Sequence, residues 1–224
     1  TQETSGLSEE TMLRPSAAAP VVRAVISPSK LSEKVEASPA VGIPNAININ
    51  LFRPRGKKFA REASGLPTDK RLVLFSSHTL SDERKGFHYL REALIRLVVE
   101  HPEWKEQLGL VLVGKDIAPE MYNDILIDVY PLGYIAEEKK MVDVYNAVDL
   151  YAIPSLQDNL PNTIVEAMAC GVPCIGFNVG GIPEMIDHLH NGYIADYKNT
   201  SSLADGIHWL LTEGEYEVLS REAA

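Results

Sequence analysis

From residue 71 onward, short unbroken apolar runs alternate with longer segments of helical period, and few architectures accept that pattern. The runs LVLF (72–75), LVLVG (110–114), DLYAIPS (149–155) and PCIGF (173–177) show none of the polar alternation of a strand with one wet face. Strands that stay apolar on successive residues must be covered on both sides, which is the condition inside a parallel sheet wrapped by helices. Between the first two runs, KGFHYLREALIRLVVE (85–100) repeats Phe87, Leu90, Leu94, Leu97 and Val98 at helical spacing. Further helices are predicted over part of 117–124 and over EEKKMVDVYNAV (137–148), PNTIVEAMACG (161–171), IPEMIDHL (182–189) and SSLADGIHWLLTE (201–213). Strands over ILIDVYPLGYI (125–135) and GYIAD (192–196) bring the total to six. Strand and helix in turn define an α/β, doubly wound, mostly parallel, Rossmann-like sheet. Residues 40–70 read as loop, VVRAVISPS (21–29) as a short strand with a turn, KLSEKVEA (30–37) as a short helix, and residues 1–20 as a flexible tail.

Composition removes whole classes of function. A net charge of −10 over 224 residues leaves no electrostatic footprint for nucleic acid, and none is expected as a partner. The apolar runs are well short of a bilayer span, and no signal-peptide pattern opens the chain. Two cysteines, Cys170 and Cys174, make no disulfide framework; buried thiols in a reducing cytoplasm are the expectation. The six histidines form no metal-ligand set and no Asp-x-Asp pair stands on the rim, so no metal is expected.

In doubly wound sheets ligands sit beyond the carboxyl ends of the strands, and three segments fall there. The first is QDNLPNTIVE (157–166), after the fourth strand. Pro161 is placed to begin a helix with Asn162, Thr163 and Ile164 in its first turn, where free backbone N–H groups and the helix dipole suit a phosphate. Glu166 then lies near enough to the rim to accept hydrogen bonds from sugar hydroxyls, and Asp158 in the loop can reach the part of a ligand beyond the phosphates. Asp158 or Asn159 serves equally well as a helix N-terminal cap, and Glu166 as a surface acid near a helix start. The second segment, DERKGF (82–87), sets Arg84 and Lys85 before a helix-opening glycine. They are either cations for a diphosphate or a solvated charge cluster. The third, VGG (179–181), permits close backbone approach to a ligand or a tight turn. Gly133 and Tyr134 stand where a flat base could lie, with Tyr134 as core the alternative. Ser77 and His78 lie on the rim after the first strand, whose turn SSHTLSDERKG lacks the dinucleotide fingerprint of a Rossmann dehydrogenase.

Taken together, IPNAININLFRP, RLVLFSSHTLSDERKGFHYLREAL and VYNAVDLYAIPSLQDNLPNTIVEAMACGVPCIGFNVGGIPEMIDHLHNGYIAD resemble the carboxyl-terminal, nucleotide-sugar-binding half of GT-B-fold retaining glycosyltransferases of family 4. The likeness runs from about residue 41 to 213. It implies a donor site marked by two acids separated by seven residues, with Glu166 on the ribose hydroxyls and Asp158 near the transferred sugar. It also implies Lys85 on the donor diphosphate, joined by backbone amides around Asn162, Thr163 and Ile164. Asn159, Leu160 and Pro161 complete the implied donor loop, with Lys85, Arg84 and Asp158 the residues nearest the chemistry. The donor would be a nucleoside-diphosphate sugar, no cofactor or metal being needed, and the acceptor a glycan or a lipid-linked sugar. The setting implied is cytoplasmic, with room for peripheral contact with the inner face of the cell membrane in polysaccharide biosynthesis. Two positions depart from the family pattern. The first acid is usually glutamate where Asp158 stands, and the loop SSHTL lacks an arginine often found just past the first strand.

The resemblance also implies an acceptor-binding domain that this chain does not hold. Residues 21–40 match only the end of such a domain or a linker, leaving 41–224 as the donor domain without the usual terminal helices. A donor domain that is a fragment or one half of a split enzyme is therefore expected. Two rivals remain: another GT-B member such as an epimerase or a phosphorylase-like protein, and a non-catalytic nucleotide-sugar-binding module.

Overall fold

The computed structural model describes residues 47–212 and 216–223, so the tail, strand and helix expected before residue 40 lie outside the described residues. Six strands form one sheet: β1 (Arg71–Thr79), β2 (Leu108–Lys115), β3 (Asp128–Gly133), β4 (Leu150–Ile153), β5 (Cys174–Phe177) and β6 (Gly192–Ala195). Their order is β3-β2-β1-β4-β5-β6 and every neighbouring pair is parallel. The chain therefore builds outward from β1 in one direction, then returns to its other side with β4. That reversal of direction leaves a crevice at the carboxyl ends of β1 and β4, where sheets of this kind bind ligands.

Helices α1 (Lys57–Ser64), α2 (Phe87–Glu100), α3 (Trp104–Gln107), α4 (Glu138–Ala147), α5 (Asn162–Ala169), α6 (Ile182–Met185), α7 (Thr200–Thr212) and α8 (Tyr216–Ala223) accompany the sheet. The strand period of two divides the core cleanly between its faces. Val73, Phe75, Leu110, Leu112 and Ile175 pack with Leu90, Leu94 and Leu97 of α2 and Leu203 and Ile207 of α7. Their neighbours Leu72, Leu74, Val111, Tyr151 and Cys174 pack with Ala60 of α1, Val142 and Tyr145 of α4 and Ile164 and Ala167 of α5. Each such fully buried aliphatic side chain contributes roughly 1.5–3 kcal/mol. Both cysteines are free and buried, as their spacing suggested, and burial raises the Cys170 thiol to about 12.

Three segments differ from the sequence reading. The expected loop at 40–70 contains α1, whose buried side is Ala60 and Arg61 rather than an apolar stripe. Arg61 donates to the Ala147 carbonyl at 2.8 Å and to Asp149 at 2.7 Å. Lys57, Arg71 and the Leu72 N–H also reach the Asp149 carboxylate, which is 1% exposed. A helix docked by ions leaves no hydrophobic period to read. The helix expected over 182–189 spans only Ile182–Met185, because Ile186 is already extended and Asp187 turns toward the Asn191 side chain. Over 117–124 there is a single 3-10 turn, Pro119–Met121. By contrast, α5 ends as its sequence requires. Gly171 takes a left-handed φ of 74°, its N–H bonding the Met168 carbonyl at 2.7 Å while the Val172 N–H bonds Ala167 at 3.0 Å.

Candidate functional site

The crevice wall is assembled from loops that only a parallel sheet brings together. After β1 the chain makes a 3-10 turn over Glu83–Lys85 and enters α2 through Gly86, at a φ of 71°. A Cβ on Gly86 would sit 1.9 Å from the Pro154 carbonyl oxygen, so the loops after β1 and β4 touch main chain to main chain. The Leu156 N–H donates to the Arg84 carbonyl at 2.7 Å and completes that seam. Across it, Lys85 Nζ donates to Asp158 Oδ2 at 2.8 Å.

The glycine pair 180–181 packs on the same loop. A Cβ on Gly180 would lie 1.9 Å from the Asp158 carbonyl oxygen, and one on Gly181 1.6 Å from that of Asn159. The Gly181 N–H bonds the Asp158 carbonyl at 3.1 Å. The close approach these glycines permit is thus to the protein's own backbone, and it pins Asp158. Nor do Asp158 and Asn159 cap α5: Pro161 is its N-cap residue and no side chain closes it.

A cleft of about 370 Å³ opens where β1 and β4 end. Apolar and aromatic side chains make its base, among them Phe75, Val113, Tyr151 and Ile153. Ser76, Ser77, His78 and Lys85 line it from the β1 side, Tyr134 and Ile135 from the loop after β3, Met141 and Tyr145 from α4, and Thr163 and Glu166 from α5. Tyr145 Oη donates to Glu166 Oε2 at 2.9 Å, and burial raises the Glu166 carboxyl above its ordinary range. Burial likewise holds both Tyr145 and Tyr151 in the neutral, donating form. Tyr151 Oη lies 3.1 Å from Ser76 Oγ. Ser155, at the end of β4, also lines the cleft; its hydroxyl is fully buried and meets no hydrogen-bond partner among the described residues. At the outer rim, Lys115 Nζ stands 4.7 Å from the centre of the Tyr134 ring and 3.3 Å from His78 Nε2.

Of the residues singled out in the sequence, Lys85, Thr163, Glu166, Ser77, His78 and Tyr134 line this one cleft. Asp158 joins it through Lys85. Asn159, Leu160, Pro161, Asn162 and Gly133 lie outside its lining, and Ile164 is buried on the inner side of α5, its N–H spent on the Pro161 carbonyl at 3.0 Å rather than free for a phosphate. Arg84 is not brought to the cleft: it is 72% exposed and forks onto Asp82 through Nε at 3.0 Å and Nη2 at 2.8 Å. That guanidinium holds the Asp82 carboxyl below its ordinary range. Sequence reasoning missed Ser76, Ser155, Tyr145, Tyr151 and Lys115. The two serines carried a usable signal, being polar residues just past apolar strands on the ligand edge. The tyrosines carried none, since each occupies a position that periodicity assigns to the core. Among the described residues no three His, Cys, Asp or Glu side chains gather as a metal set.

Residues 70–213 match the sequence family described as Glycosyl transferases group 1, and the chain belongs to that family. The D-inositol 3-phosphate glycosyltransferase of Thermobispora bispora is 31% identical over 160 residues, an alignment covering 67% of this chain and 37% of that protein. The chain spans less than half the length of the curated relatives it matches. Among solved structures, the C-terminal domain of a glycosyl transferase group 1 family protein (LpcC) from Francisella tularensis superposes with a TM-score of 0.66 at 20% identity. That likeness, over 79% of this chain and 94% of the other, establishes the fold as the α/β, Rossmann-like carboxyl-terminal half that the resemblance implied. HepE of Anabaena, solved in complex with UDP and glucose, is 25% identical with a TM-score of 0.62, over 79% of this chain and 49% of its own.

Proposed function

We propose that this domain holds a nucleoside-diphosphate sugar for configuration-retaining, metal-independent transfer of a hexosyl group to a glycan or lipid-linked acceptor. The observation that carries this reading is the cleft at the β1–β4 crevice, with a lysine on one side and a half-buried glutamate on the other. A UDP and glucose complex of a relative with the same fold supports it. Lys85 takes the diphosphate, joined by backbone N–H groups at the start of α5, where the helix dipole favours negative charge. Glu166, oriented by Tyr145, accepts hydrogen bonds from the ribose hydroxyls. The base lies toward Tyr134 and His78, which stand edge to face with ring centres 5.4 Å apart.

Charge accumulates on the diphosphate as the sugar departs. Lys85 and the helix terminus meet it with positive charge already in place, so the protein supplies the neutralisation that a metal would otherwise give. Loss of one such contact costs on the order of 10²–10³ in rate. Retention requires the leaving group to depart and the acceptor to attack on the same face of the sugar. Acceptor binding and any general base belong to a second domain, and a cytoplasmic setting with peripheral membrane contact fits a lipid-linked acceptor.

The test is calorimetric titration of the chain with UDP, GDP and ADP, with and without Mg²⁺. One nucleotide is expected to bind independently of metal. Lys85→Ala and Glu166→Ala should each weaken it by roughly 10- to 100-fold, the worth of a hydrogen bond to a charged group. Equal binding by both variants and the unmodified chain overturns the assignment.

A further inference from the structure

Lys85 is already engaged in this structure. Its ammonium meets the Asp158 carboxylate at 2.8 Å, and the two side chains are 35% and 16% exposed, so the pair is only partly screened by water. The two partners differ in freedom. Asp158 has a short side chain on a backbone held from behind: Gly180 packs against its carbonyl, the Gly181 N–H bonds that carbonyl at 3.1 Å, and Gly181 packs against the next carbonyl, of Asn159. Lys85 reaches the pair along a flexible four-carbon stem. When an anion enters the cleft, the lysine can turn toward it and the aspartate cannot follow.

We infer that Asp158 is a positioning residue for Lys85: it holds Nζ at the cleft and competes with the incoming diphosphate for it, acting on the donor through the lysine rather than by touching the transferred sugar. This rests on the donor-site reading above and departs from the role the family resemblance gives the first acid. A glutamate carries its carboxylate one methylene further from the pinned backbone; an aspartate there stops at the lysine. The consequence is a diphosphate bound less tightly than Lys85 alone would bind it. Retention of the spent nucleotide is correspondingly weaker, which favours product release.

Binding to paired and unpaired forms separates the two roles. The intact chain, Asp158→Asn, Asp158→Ser, Lys85→Ala and the Lys85→Ala/Asp158→Asn double variant are titrated with the nucleoside diphosphate that binds best and with its glucose conjugate, after circular dichroism shows each folded. Both substitutions at Asp158 should tighten the two ligands by the same factor, about three- to tenfold, because a carboxylate competing for one cation has gone. With Lys85 absent the Asn substitution should change nothing, a coupling that a general structural role would not produce. A loss of affinity for the sugar conjugate alone places Asp158 on the sugar and overturns the inference while leaving the donor site intact. Effects of the same size with and without Lys85 overturn it too. Failure of the intact chain to bind any nucleotide removes the donor reading, and this inference with it.

Discussion

Two aspartates flank β4, Asp149 one residue before it and Asp158 five residues after, and both meet basic side chains. Asp149 is sealed at the amino-terminal edge of the sheet beneath Arg61, Lys57, Arg71 and the Leu72 N–H. Asp158 stands at the opposite edge beside a cleft, with Lys85 its ion-pair partner. The first arrangement surrounds a charge with donors and ties α1 to the sheet. The second leaves a cation that can be shared. In one strand the same chemical pair thus serves fastening at one end and exchange at the other, and the number of partners decides which.

The sharpest way to break that contrast is Asp149→Ala. It strands the buried Arg61 guanidinium and should cost about 3–5 kcal/mol in denaturant unfolding. The corresponding change at Asp158 should leave stability within about 1 kcal/mol. A smaller effect is expected from Gly181→Ala, which drives a Cβ into the Asn159 carbonyl oxygen. Roughly 1–3 kcal/mol of stability should be lost, and nucleotide affinity should fall with it because the loop that leads into the start of α5 must move. Unchanged affinity would detach that loop from the site.

Glu166→Gln probes the cleft end through pH. Burial raises the Glu166 carboxyl in the folded protein, so its ionised form is the disfavoured one. The stability this group contributes is complete below the ordinary glutamate range and is lost as pH rises through the raised value. The glutamine variant should therefore match the unmodified chain in acid and equal or exceed it in unfolding free energy near neutrality, by no more than about 1 kcal/mol after screening. Its nucleotide affinity should nevertheless drop. A fall in Tm at neutral pH would show that the carboxylate supports the fold. The smallest effect belongs to Arg84→Ala. Because Arg84 is exposed and forked on Asp82, Tm and nucleotide affinity should both stay unchanged, whereas a tenfold loss of affinity would return it to the diphosphate.

The parallel α/β class was legible because strands covered on both faces cannot hide: LVLF and LVLVG are apolar throughout and Leu72 to Phe75 are all buried. The ligand edge was legible from connectivity alone, which is why Lys85, Thr163 and Glu166 were found together although 81 residues separate the first from the last. What escaped was whatever depends on a partner distant in sequence. Helix α1 is fixed by Asp149, 88 residues from Arg61, and a lone charged helix carries no trace of that. The pairing of Arg84 escaped for the opposite reason: Asp82, only two residues away, takes its guanidinium. Tyr145 and Tyr151 are core side chains whose hydroxyls happen to emerge at the cleft, and periodicity sees only the buried ring.

The seam between the loops after β1 and β4 has a consequence during synthesis. Lys85 leaves the ribosome well ahead of Asp158, 73 residues later, and Gly86 must wait equally for the Pro154 carbonyl it packs against. At the usual pace of translation that gap amounts to several seconds. Within that interval β2 and β3 emerge and can join β1 before β4, the strand that turns their edge into a crevice, has been made. Nucleotide cannot serve as a scaffold for the early part of the fold; it can only reward a sheet already extended to both sides of β1. Ligand capture by arrested chains of increasing length would therefore appear abruptly, once α5 has cleared the exit tunnel.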